Sequence, residues 1–193
     1  MKRICVFCGS SDGANPSYLE TAETVGRFLV SKNIELVYGG GRVGLMGKIA
    51  DTVLAGGGKV IGIIPESLAV KEVAHQSLTE LHIVDSMHER KALMAEYADG
   101  FVALPGGFGT FEEFCEIVTW AQLGIHQKPC ALLNAGGFYD NLIAMFDHSA
   151  AQKFIRNEHR NLVLVENDIE KLYELMVNFR PPLIEKWLDK EST

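Results

Sequence analysis

Short apolar runs alternate with amphipathic stretches along the chain. The runs at 3–8, 34–38, 59–64, 80–84, 100–104, 129–133 and 161–165 are rich in Val, Ile and Leu and lack clean apolar–polar alternation. Strands buried on both faces read this way, as in a parallel sheet covered by helices. Helical patterns lie between them, near 15–31, 44–56, 86–98, 110–123, 138–149 and 167–178. Strands alternating with helices imply right-handed crossovers and a doubly wound α/β sheet. Residues 65–79 are the least regular, a loop or a short helix. Residues 180–193, opening Arg180-Pro181-Pro182, read as a tail over the surface.

In such sheets ligands bind at the carboxyl ends of the strands, near a switch in strand order. The segments following the strands are therefore informative. Gly9-Ser10-Ser11-Asp12-Gly13 follows the first, and Gly39-Gly40-Gly41-Arg42-Val43-Gly44-Leu45-Met46-Gly47 the second. Pro65-Glu66-Ser67 follows the third, and Pro105-Gly106-Gly107-Phe108-Gly109-Thr110 the fifth. Glycine lets a backbone approach a ligand closely. A helix start offers unpaired N–H groups and a positive dipole end, which suit phosphate. Thr110 fits an N-cap, and Thr110 with Glu113 fits a capping box. Capping and chemistry thus compete for the Glu113 carboxylate.

Gly39-x-Gly41-x-x-Gly44 matches a dinucleotide fingerprint, with Glu66 placed for the ribose acid, roughly 20 residues on. It follows the second strand rather than the first, and tight turns and close packing explain the same glycines without a nicotinamide cofactor.

Composition narrows the partners. The chain has 193 residues, 47% of them hydrophobic, with 19 glycines and a formal charge of −7. This excludes a disordered chain. It also argues against binding polymeric nucleic acid, which a negative chain repels unless its basic residues cluster. No apolar run approaches the ~20 residues of a membrane helix. Ile4 to Cys8 is too short for a signal-peptide core of about 7–15 residues, so a cytoplasmic location is expected. Cys5 and Cys8 form a C-x-x-C, but no second ligand pair follows for zinc. On a strand the two point to opposite faces, as buried small hydrophobes would. The histidines at 75, 82, 88, 126, 148 and 159 show no metal-ligand spacing with a third partner.

Met87-His88-Glu89-Arg90-Lys91 opens the helical pattern at 86–98, after the fourth strand. Basic residues at a helix start oppose the dipole, and a solvated face is their ordinary explanation. Their place beside the Pro105 loop suggests instead a clamp for phosphate or carboxylate. In the next helix Phe111, Phe114, Cys115 and Val118 fall on one apolar face at 100° per residue. Glu112, Glu116 and Thr119 share a flank, and Glu113 lies away from the apolar face. Acids beside a phosphate-binding loop make sense if a carboxylate faces a centre of developing positive charge. The C1′ of a nucleoside monophosphate, on breaking its bond to the base, is such a centre.

Pro105-Gly106-Gly107-Phe108-Gly109-Thr110-Phe111-Glu112-Glu113 fits P-G-G-x-G-T-x-x-E. With the Gly39–Gly47 loop and Met87–Lys91, the chain resembles the Lonely guy (LOG) family of cytokinin riboside 5′-monophosphate phosphoribohydrolases. Related members were often labelled lysine decarboxylases, a chemistry for which this sequence offers no motif. The resemblance runs from Cys5 to His126. It implies one Rossmann-like nucleotide-binding domain over 1–193, acting as a homodimer. The implied activity is hydrolysis of the N-glycosidic bond of AMP-type monophosphates to free base and ribose 5-phosphate, without cofactor or metal. By motif position Arg90 and Glu113 would be the catalytic pair, with Glu112 the substitute if Glu113 caps the helix. Lys91, Gly107, Phe108, Gly109, Thr110, Phe111 and Glu112 would line the substrate, with Thr119 nearby and Glu72 a further contact. Phe108 stands at the variable position of the signature, so its ring need not touch the ligand. A non-catalytic nucleotide or molybdenum-cofactor carrier on the same fold is the competing reading; it needs the phosphate loop but not Glu113. Surplus apolar residues at 110–123, with Trp120 outside the main stripe, are compatible with a second packing surface.

Overall fold

Apart from one exposed edge strand, the strands of the sheet send alternate side chains into two separate cores, the period-2 consequence of extended backbone. Ile4, Val6 and Cys8 enter one core, and Cys5 and Phe7 enter the other. The computed structural model describes residues 1–69 and 74–182. In chain order its strands are β1 (Arg3–Phe7), β2 (Glu35–Tyr38), β3 (Val60–Pro65), β4 (Glu80–Val84), β5 (Gly100–Ala103), β6 (Cys130–Leu133) and β7 (Val163–Glu166). The helices are α1 (Ser17–Ser31), α2 (Gly44–Ala55), α3 (Glu66–Ala69), α4 (Met87–Tyr97), α5 (Phe108–Gln122), α6 (Asp140–Ala151), α7 (Asn157–Arg160) and α8 (Ile169–Asn178).

The seven strands form one sheet in the order β4-β3-β2-β1-β5-β6-β7, with every pairing parallel. The chain winds outward from β1 to β4, returns to β5 on the other side of β1, and winds out again to β7. The order therefore reverses between β1 and β5, whose register pairs Ile4 with Gly100 and Phe7 with Ala103. Helices α1, α2 and α8 bury Phe28, Ile49 and Leu172 on one face. Helices α4 and α5 bury Met94, Phe114 and Ile117 on the other. This is the Rossmann-like, doubly wound architecture, with helices on both faces.

The two residues of the C-x-x-C motif lie in opposite cores, both as free thiols. Burial, and then the nearby Glu113 carboxylate, push both thiols well above their ordinary pKa. Neither is a ready thiolate. Among the described residues no group of three or more His, Cys, Asp or Glu is arranged to hold a metal ion. No described helix is long and apolar enough to cross a membrane.

Candidate active site

Backbone bonds tie together the loops at the switch in strand order. Leu104 N–H donates to the Phe7 carbonyl at 2.9 Å and Gly9 N–H to that of Pro105 at 3.0 Å. Met46 N–H, in the first turn of α2, reaches the Gly9 carbonyl at 3.3 Å. Above this junction opens a cleft of about 280 Å³. Its walls are the end of β1 (Val6 to Ser10), Gly39 after β2, Met46, Leu68, Met87 and Arg90, and the start of α5 (Gly107 to Thr110, Glu112 and Glu113). This is the place where a doubly wound sheet binds its ligand.

Helix α5 begins earlier than Thr110 suggests. Gly107 is its N-cap, in extended conformation and with no side-chain cap bond, and Phe111 N–H donates to the Gly107 carbonyl at 3.1 Å. Thr110 is buried in the first turn, so the capping-box expectation is overturned. A glycine N-cap leaves the first N–H groups of α5 without intrahelical acceptors. Those groups and the positive dipole end face the cleft. Glycine also fits at 106 for a steric reason, because a Cβ there would meet the Thr110 hydroxyl.

The buried face of α5 is also turned from the expected one. Thr110, Glu113, Phe114, Ile117 and Ala121 are buried, while Cys115 is exposed and Phe111 and Val118 are half-buried. Glu113 therefore points inward, contrary to the placement away from the apolar face. What compensates it is Arg90 from α4. Arg90 Nη2 lies 3.4 Å from Glu113 Oε1, with the two side chains only 6% and 10% exposed. Arg90 Nη1 donates to Met87 Sδ at 3.7 Å. Its Nε is buried with no hydrogen-bond partner among the described residues. Arg90 thus has donor capacity left over at the cleft wall, where an unmet buried donor costs about 1–3 kcal/mol.

The other predicted site residues divide. Gly107, Phe108, Gly109, Thr110 and Glu112 line the cleft with the pair. Phe108 is 92% exposed at the rim. Lys91 is buried behind the wall and does not line the cleft. Its Nζ pairs with Glu116 Oε2 at 2.9 Å and with Glu112 Oε1. Desolvation pulls the Lys91 ammonium down, but these two carboxylates outweigh it and hold its pKa above the ordinary lysine value. The cation therefore binds α4 to α5. Phe111 turns toward Phe138 and Tyr139, each ring centroid 6.3 Å away. Thr119 is exposed, donates to the Cys115 carbonyl at 2.7 Å, and lines a different cavity with Val118, Phe146 and His159. Glu72 lies outside the described residues.

Sequence reasoning missed Cys8, Met46, Leu68 and Met87 as cleft walls. Cys8, at the end of β1, and Met46, in the Gly39–Gly47 segment, stood in view; Leu68 carried no signal. Gly44 of the fingerprint is explained by packing, and so is Gly47 beyond it. Gly44, at φ +62°, sits against the backbone of Ser10 and Ser11, and a Cβ at Gly47 would meet the Arg42 carbonyl. Glu66 is exposed at the start of α3.

Fold and site together define a Rossmann-like domain with an anion-receptive helix start facing a buried carboxylate–guanidinium pair. Residues 46–176 match the family model described as "Possible lysine decarboxylase". The chain is 50% identical over 180 residues to a probable cytokinin riboside 5′-monophosphate phosphoribohydrolase of Oryza sativa subsp. japonica, covering 93% of this chain and 79% of that one. It is 51% identical over 170 residues to the cytokinin riboside 5′-monophosphate phosphoribohydrolase of Rhodococcoides fascians, covering 88% and 86%. Among solved structures, the molybdenum cofactor binding protein of Rippkaea orientalis superposes with a TM-score of 0.68 at 22% identity, over 92% of this chain and 97% of that one. That last likeness shows the fold alone. The chain belongs to the LOG family of cytokinin riboside 5′-monophosphate phosphoribohydrolases.

Proposed function

We propose that this protein hydrolyses the N-glycosidic bond of AMP-type nucleoside 5′-monophosphates, cytokinin riboside monophosphates included, releasing free base and ribose 5-phosphate. The observation that carries the reading is the buried Arg90–Glu113 pair beside the N-terminus of α5. Phosphate binds at the free N–H groups of Gly107 to Thr110, where the dipole favours negative charge. This leaves the sugar toward Glu113. As the C1′–N bond breaks, the ring gains oxocarbenium character and the Glu113 carboxylate stabilises it. The oxygen of a water molecule attacks C1′ and its proton passes to Glu113; the departing base keeps the bond electrons and takes up a proton from solvent, to which Glu113 then returns its own. Arg90 keeps Glu113 aimed at the sugar through the contact of its Nη2 with Oε1. Incubation of the purified protein with AMP and base-modified monophosphates gives free base and ribose 5-phosphate in equal amounts. Absence of both products across the panel overturns the reading.

The substrate is a small molecule rather than nucleic acid, and the −7 charge is consistent with that. A cytoplasmic nucleotide pool is the proposed setting, and one domain over 1–193 the proposed unit. The working form is proposed to be a homodimer. Support comes from the outward side of α5, where Cys115 and Thr119 are exposed and Leu123 and Ile125 just beyond are 59% and 64% exposed. Thr119 stands on this side, away from its own cleft, so as a substrate contact it serves the cleft of the second copy. Light scattering at micromolar concentration should give the mass of two 21.3-kDa chains. A one-chain mass excludes the dimer.

A further inference from the structure

The glycine that opens the second loop has a task that phosphate binding does not explain. Gly39 directly follows β2 and lines the cleft. A Cβ built on it would overlap the Arg90 guanidinium at Nη2, and would lie 3.0 Å from Cζ and 2.9 Å from Met46 Cε. The guanidinium therefore lies on the bare backbone of Gly39. From there Nη2 reaches Glu113 and Nη1 reaches Met87 Sδ. We propose that Gly39 is a positioning residue for the reaction: it is the seat that holds the Arg90 guanidinium flat against the cleft wall, aimed at Glu113. The proposal rests on the reading of Arg90 and Glu113 given above.

The geometry separates this role from a purely structural one. At Gly47 the obstacle to a side chain is the Arg42 backbone, and backbone cannot step aside cheaply. At Gly39 the obstacles are the far ends of two flexible side chains, Arg90 foremost and then Met46. A methyl group there is accommodated by moving Arg90. The Arg90 side chain is 6% exposed, held by Met87 and Glu113, and lines the cleft, so its open direction is the cleft. Displacing it loosens the alignment of the carboxylate and intrudes where the sugar would sit. The fold survives and the chemistry suffers. A misplacement of about 1 Å in a reacting group costs on the order of 10²-fold in rate.

The test compares Gly39→Ala and Gly47→Ala with wild type by AMP turnover, thermal melting and NMR of the arginine Nε–H groups. The buried Arg90 Nε–H, assigned by its loss in Arg90→Lys, should give a slowly exchanging signal in the wild type. In Gly39→Ala, kcat falls on the order of 10²-fold with KM changed less. Its melting temperature stays near wild type while that of Gly47→Ala drops, and the Arg90 signal shifts and exchanges faster. An unchanged Arg90 signal in Gly39→Ala overturns the proposal, as does a kcat within twofold of an active wild type. A wild type that does not cleave AMP defeats the functional reading instead, and the Arg90 signal still decides whether Gly39 is its seat.

Discussion

Glu113→Gln leaves AMP bound and nearly abolishes its cleavage. Glutamine keeps the shape and a hydrogen-bond acceptor for Arg90 Nη2, so the cleft stays built. It removes the negative charge facing C1′ and the group that takes the water's proton. Loss of a positioned acid–base group costs about 10²–10⁴-fold. The expected result is a fall in kcat of that order, with AMP affinity within a fewfold by calorimetry. Glu112→Gln costs less, because Glu112 is half-exposed and its partner Lys91 keeps Glu116. This comparison also decides between enzyme and carrier. A carrier needs the helix start and the loops but has no turnover for Glu113 to support. Cleavage by Glu113→Gln within tenfold of wild type defeats the assignment of Glu113.

Gly44→Ala has the largest expected effect on stability. Gly44 adopts φ +62°, a region costing an L-residue roughly 1–2 kcal/mol. A Cβ there would also run into the backbone of Ser10 and Ser11. Forcing extra volume into a packed site costs roughly another 1–3 kcal/mol. At roughly 2–4 °C per kcal/mol for a chain of this size, melting should fall by about 4–20 °C. The displaced Ser10 lines the cleft, so AMP affinity falls as well. A melting temperature within 2 °C of wild type would show that the close approach to the Ser10 backbone is not tight.

The inner strands were legible because burial on both faces leaves an unbroken aliphatic signature, and the pattern at 100–104 matches the fully buried β5 (Gly100–Ala103) to within one residue. The run at 161–165 starts too early by two residues because Asn161 and Leu162 close the turn after α7, with Leu162 N–H donating to the His159 carbonyl at 3.1 Å. The start of α5 was misread for a different reason. A glycine N-cap acts through its backbone and has no side chain to announce it, whereas Thr110 carries the usual announcement while lying inside the helix. Arg90 was the harder case. On local grounds a cation in the first turn of a helix belongs in solvent. Only the arrival of Glu113 from another helix offsets its burial, and a partner 23 positions away leaves no trace in a helical period. Lys91 was legible as a cation near the cleft, but its two acidic partners on α5 turn it to joining helices.

The backbone bonds at the root of the cleft set limits on its future substrates. Gly9 is held to Pro105 and Met46 to Gly9, so the floor is a welded joint between the two halves of the sheet. A larger base gains no room there without breaking it. The outer edge is built from Leu68, in a four-residue helix, and Phe108, which is almost fully in solvent. Divergence toward new bases should therefore be written in the rim. The joint below would stay common to enzymes whose substrates no longer resemble one another.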